Sequence, residues 1–155
     1  MDEVHSYLLD WAINFVKNRD ILARQINEIE KNKDNIVDFS VKYKDGKEVF
    51  FIIKALIDDI NKILEKIDKN SHFCIITLNN KANLGMVIDN WKKLLECIFL
   101  SIYFINPFSE LDKKWVIYPY THNKICDENS LELGLKSMFE LVEQISEEQL
   151  KAKLS

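Results

Sequence analysis

The sequence predicts one α/β domain, a mixed β-sheet of about four to five strands flanked on both faces by helices. Three observations carry that expectation. An Asp45-Gly46 pair sits between two β-type runs. Short apolar runs alternate with amphipathic stretches from Leu56 onward. Glycine and proline are scarce, three and two among 155 residues, whereas a sandwich or small barrel needs many tight turns. The length suits one domain rather than two.

Each element follows in order. Val4, Leu8, Trp11 and Phe15 recur at helical spacing, and Leu22, Ile26 and Ile29 continue a similar stripe after the polar break Lys17-Asn18-Arg19-Asp20. One bent helix or two short ones are expected, closed by the polar run Glu30 to Asn35. Val37 to Tyr43 alternates apolar and polar residues, and Glu48 to Lys54 is apolar on both faces. With Asp45-Gly46 between them these read as a hairpin whose second strand lies inside the sheet. A two-residue turn sets Asp38 opposite Ile53 and turns Lys54 to the other face. One extra, bulged residue brings Asp38 and Lys54 to the same side.

Leu56, Ile57, Ile60, Ile63, Leu64 and Ile67 mark one face of a helix. Phe73 to Leu78 reads as a buried strand, and Asn83 as the cap of a helix carrying Leu84, Val87, Ile88, Trp91, Leu94 and Leu95. Ile98 to Ile105 reads as a second strand, and Trp115 to Tyr118 as a short one ended by Pro119. Asn129 with Glu132 reads as the start of a helix bearing Leu131, Leu135, Met138, Phe139, Val142 and Ile145. The tail, 147–155, is expected to fray. The domain spans 1–155.

Composition narrows the function classes. The net charge is −4, and Arg19 and Arg24 are the only arginines beside nineteen lysines. Polycation attraction to nucleic acid is therefore not expected, and bidentate guanine or phosphate reading is short of its preferred group. No apolar run is long enough to span a bilayer, and Met1-Asp2-Glu3 is not the basic start of a secretory signal. Cys74, Cys97 and Cys126 include no Cys-x-x-Cys pair; they read as small hydrophobes in a reducing compartment. The expected location is cytoplasmic, away from membranes. No glycine-rich phosphate loop and no Gly-x-Ser-x-Gly elbow occurs. His122 and Cys126 lack the further ligands that zinc requires, so no metal site is expected. His5 and His72 stand isolated and read as surface or boundary histidines. Lys42, Lys44, Lys47 and Lys54 cluster at the hairpin, where they read as a solvated edge.

A helix, a hairpin, a helix, a strand, a helix and a further strand, with Asp38 opening the first hairpin strand and Lys54 closing the second, resemble the PD-(D/E)xK nuclease superfamily over residues 3–105. The resemblance implies a nuclease-like topology. It also implies a site in which Asp38 and a second acid hold Mg²⁺ while Lys54 steadies the attacking water. Ile52 stands where the family has that second acid, and a side chain without oxygen cannot hold a hard cation. The resemblance thus implies a catalytically degenerate domain with no cofactor. Such a domain acts as a binding or assembly module for a protein partner or for a second copy of itself.

Two other readings stand beside it. One is a metal-dependent nuclease acting on DNA or RNA, using Mg²⁺ and an acid relocated to Glu3, Glu28 or Glu30. The other is a small-molecule or regulatory domain with a binding loop at Tyr118, Tyr120, Thr121, His122 and Lys124. Histidine there titrates near neutral pH, and strand-end loops often carry sites.

Overall fold

A computed structural model describes residues 2–31 and 35–155. Met1 and the middle of the polar run, 32–34, lie outside the described residues. The chain order is α1 (Glu3–Arg19), β1 (Ile26–Lys31), β2 (Phe39–Tyr43), β3 (Glu48–Lys54), α2 (Ile60–Leu64), β4 (His72–Leu78), α3 (Lys81–Asp89), α4 (Trp91–Leu94), β5 (Leu100–Ile105), β6 (Lys114–Ile117), α5 (Pro119–Ile125), α6 (Glu128–Phe139) and α7 (Glu147–Leu154). The six strands form one mixed sheet in sequence order. β1, β2 and β3 run antiparallel, β3, β4 and β5 are parallel, and β6 returns antiparallel. The α/β domain with helices on both faces is thus the architecture observed.

The apolar strands explain this arrangement. β3 and β4 carry large side chains toward both faces, so each face needs a cover. On one face Phe39, Phe51, Ile53, Ile76 and Ile105 pack against Leu8, Ala12 and Val16 of α1 and Leu150 of α7. On the other, Ile52, Ile75, Ile102 and Phe104 pack against residues of α2, α3, α4 and α6.

β1 is a correction, because Ile26 and Ile29 belong to a strand rather than a helix. The cause is a register shift between Ile26 and Glu28. A bulge converts the two-residue alternation of a strand into a three-residue spacing, which mimics a helix. Both isoleucines therefore face the α1 side of the sheet. α1 itself stops at Asp20, whose carboxylate accepts from the Gln25 and Ile26 N–H groups at 2.8 and 3.0 Å. The sheet accordingly has six strands rather than four to five.

The hairpin carries the extra residue. Lys42 pairs with Glu48 and Phe39 with Phe51, so three residues, Lys44 to Gly46, make the turn. Gly46 has φ +91, the left-handed conformation that closes a three-residue hairpin. The paired register ends at Phe39 and Phe51; Asp38, just before β2, donates its N–H to the Phe51 carbonyl at 2.9 Å rather than pairing with Ile52.

Three helix starts differ from expectation. Asn80, not Asn83, caps α3 by accepting from the Asn83 N–H. Asp127, not Asn129, caps α6 by accepting from the Ser130 N–H. Backbone hydrogen bonding to Ser130 holds the Asp127 carboxyl below its ordinary range. Pro119 does not merely end a strand; it opens α5, where its missing N–H and fixed φ suit the first helical position. Residues 147–154, expected to fray, form α7 under a Ser146–Gln149 capping box, with Leu150 fully buried against α1.

Candidate functional site

The chain leaves the carboxyl end of β3 and turns toward α2, opening a cleft of about 580 Å³ beside the start of α1. Asp38 and Lys54 both line it. The position is the ordinary one for a site in an open α/β sheet, outside the carboxyl ends of parallel strands.

Asp38 is firmly held. One carboxylate oxygen lies 2.8 Å from His5 Nε2, and its side chain is 19% exposed. The other accepts from the Ile53 N–H at 2.7 Å. His5 projects from the first turn of α1, which Asp2 caps by accepting from the His5 N–H at 2.7 Å. Asp38 therefore fastens the N-terminal helix to the central strand. Lys54 is exposed and forms no ion pair among the described residues.

Ile52 does not line the cleft. It is 0% exposed and lies in the layer with Ile57, Ile60 and Ile75. Of the other carboxylates of the cleft, Glu147 stands in the first turn of α7, whereas Asp58 and Asp59 serve local backbone. Asp58 accepts from the Asp59 N–H at 2.9 Å, and Asp59 caps α2 by accepting from the Asn61 N–H at 3.0 Å. Among the described residues no group of three or more His, Cys, Asp or Glu is placed to hold a metal ion. Mg²⁺ needs several oxygens in near-octahedral array, which the described residues do not gather here.

The acids considered as replacements lie elsewhere. Glu28 and Glu30 sit on β1, two strands from β3, opposite Lys42 and Ser40. Glu28 lies 3.9 Å from the Lys42 ammonium. Glu3, in the first turn of α1, does not line the cleft.

The segment from Tyr118 to Lys124 is a helix start rather than a loop. His122 Nδ1 lies 3.0 Å from both the Tyr118 N–H and the Tyr118 carbonyl, so the imidazole serves the start of its own helix. Lys124 lies 4.3 Å above the Tyr120 ring. Cys74 and Cys97 are buried, and burial pushes the Cys74 thiol up to about 12. A thiol so placed stays protonated and unreactive. No helix among the described residues is long and apolar enough to cross a membrane.

Compared with known protein families, curated proteins and solved structures, the chain matches none. The cleft is interpreted from its own chemistry. Its histidine was invisible in the sequence, because His5 and Asp38 are distant along the chain and no local spacing links them. The only available hint was that Asp2 sits where a cap would start α1, which points His5 along the first helical turn.

Proposed function

We propose that this chain is a nuclease-framed binding or assembly module that does not cleave nucleic acid. Its natural contact is a protein partner or a second copy of itself. The element order α1–β1–β2–β3–α2–β4, with an antiparallel β2–β3 hairpin followed by a parallel crossover, supports the resemblance to the PD-(D/E)xK superfamily. One observation carries the loss of catalysis. The β3 position that must supply the second acid is Ile52, sealed in the core, while both oxygens of Asp38 are engaged by His5 and Ile53.

The chemistry follows directly. Metal-assisted phosphodiester hydrolysis needs an ion that lowers the pKa of a bound water and neutralises the leaving oxygen. A single carboxylate, each oxygen of which already accepts one hydrogen bond, supplies such an ion with few of the oxygens it needs. Lys54 then has no metal-bound water to orient. Asp38 acts instead as a structural clasp between α1 and β3.

The test is a cleavage assay with purified protein, Mg²⁺ or Mn²⁺, and single- and double-stranded DNA and RNA. Wild-type protein and Asp38→Ala are expected to be equally inactive, both at the level of buffer alone. Metal-dependent cleavage that disappears in Asp38→Ala contradicts the proposal and restores the nuclease with a relocated acid.

A further inference from the structure

At the opposite end of the sheet, the amino ends of β3, β4 and β5 and the last turn of α1 enclose a second cavity of about 380 Å³. That volume is within the range of small-molecule sites. Its charged lining consists of Arg19 and Lys47, and no aspartate or glutamate lines it. The chain as a whole has 25 acidic and 21 basic residues. A cavity with two permanent cations and no carboxylate is therefore a local exception to the protein's acidic balance.

Arg19 is the central group. Its guanidinium donates to the Tyr103 hydroxyl at 3.0 Å and lies 5.1 Å from the centroid of the Phe15 ring. It has no carboxylate partner among the described residues. A guanidinium has five N–H donors in a fixed fork. Hydroxyl and ring contacts orient that fork but leave its charge uncompensated. Burial pushes the Tyr103 hydroxyl up to about 12, so it remains neutral. Arg19 is exposed, and an exposed guanidinium held in place without a counter-ion is open to an anion from solution. Lys47 reaches the same cavity from the hairpin. One nearby carboxylate, Asp45, is turned toward the Lys47 backbone N–H at 2.8 Å.

The walls suit a flat body. His72 stacks on Phe99, with ring centroids 4.1 Å apart and planes inclined by 22°. Tyr118 also lines the cavity. Phe99 is 46% and Tyr118 43% exposed, so both rings keep apolar surface in contact with solvent. Exposed aromatic rings beside a cation can take a planar ring in stacking contact while the cation takes its anion.

We infer that this cavity binds a small molecule carrying a phosphate or carboxylate on a planar ring. Arg19 and Lys47 hold the anion, and Phe99, His72 and Tyr118 flank the ring. The site is independent of the nuclease-like reading, since it shares no residue with the Asp38–Lys54 cleft.

Phenyl phosphate is the probe, with inorganic phosphate and phenol as its two halves, followed by amide resonances in solution. Saturable shifts are expected at Lys47, His72, Phe99 and Ser101, with tighter binding of phenyl phosphate than of either half. Arg19→Gln is expected to weaken binding by roughly tenfold or more, the effect of losing a charged hydrogen-bond partner. Arg19 also braces Tyr103, so Lys47→Ser, at an exposed position, supplies a second variant that weakens binding while the melting temperature stays unchanged. Lys66→Ser, at the opposite cleft, leaves the affinity as in wild type. Benzoate in place of phenyl phosphate separates carboxylate from phosphate preference within the proposed class. The inference is overturned by the absence of saturable shifts up to about 10 mM of either ring anion. Equal affinity for inorganic phosphate overturns it too, as does unchanged affinity in both Arg19→Gln and Lys47→Ser.

Discussion

The Ile52→Glu protein is expected to lose about 4 kcal/mol or more of folding stability and to gain no metal-dependent cleavage. The substitution restores the acid that the nuclease motif lacks, so it separates two accounts of this position. Ile52 pairs with Ile75 of β4 and lies in the layer with Ile57 and Ile60, with no exposed surface. A glutamate there has no partner and no water, and it removes an aliphatic side chain from a close-packed layer. Thermal unfolding should show a fall of roughly 10 °C or more for a domain of this size. A variant that melts like wild type and cleaves DNA or RNA with Mn²⁺ contradicts the core assignment.

Asn79→Ala is the second large effect, expected at about 3 kcal/mol or more. Asn79 follows β4 and is fully buried. Its amide nitrogen donates to the Phe139 and Val142 carbonyls at 3.1 and 2.9 Å. Its amide oxygen accepts from the Trp115 indole N–H at 2.7 Å. Those carbonyls lie at and just beyond the end of α6, where a helix leaves its last acceptors without internal partners. Truncation leaves three buried polar groups unsatisfied, each costing about 1–3 kcal/mol. Chemical denaturation of Asn79→Ala checks the magnitude. Asn70→Ala, at an exposed position, is the control and should match wild type. A loss under about 1 kcal/mol in Asn79→Ala would mean that water replaces these bonds.

The two variants probe parts of the fold that were unequally legible in the sequence. β3 and β4 could be read directly, because β-branched and aromatic residues facing both ways form a strand buried on two sides. β1 could not, since its bulge copies the spacing of a helix. Asn83 looked like a cap because asparagine favours that position, yet tertiary structure uses it otherwise. Its side chain accepts from the Ile57 N–H and donates to the Ala55 and Leu78 carbonyls, fastening the β3–α2 crossover to α3. Several asparagines lie close together at residues 79–83, and composition does not say which one takes the cap.

The Asp38–Lys54 cleft was legible in part. Asp38 and Lys54 are recognisable as strand-end polar residues, but they meet at the end of the sheet, where Asp38 has already left the β2–β3 ladder. The part played by His5 arises from a contact between the first helix and Asp38, just before β2, which no sequence window contains. The cavity around Arg19 is equally non-local, assembled from α1, the hairpin and the starts of three strands. Its trace in the sequence is the placement there of one of only two arginines.

Mn²⁺ titration followed by amide resonance broadening tests the central claim most directly, because the paramagnetic ion marks its own binding site without requiring turnover. With Mn²⁺ below the protein concentration, Asp38, Ile53 and Lys54 should broaden no more than exposed acidic positions elsewhere, and Asp38→Asn should leave the pattern unchanged. Selective broadening around Asp38 that vanishes in Asp38→Asn would show an ion held where a committed clasp is described, and would contradict the account.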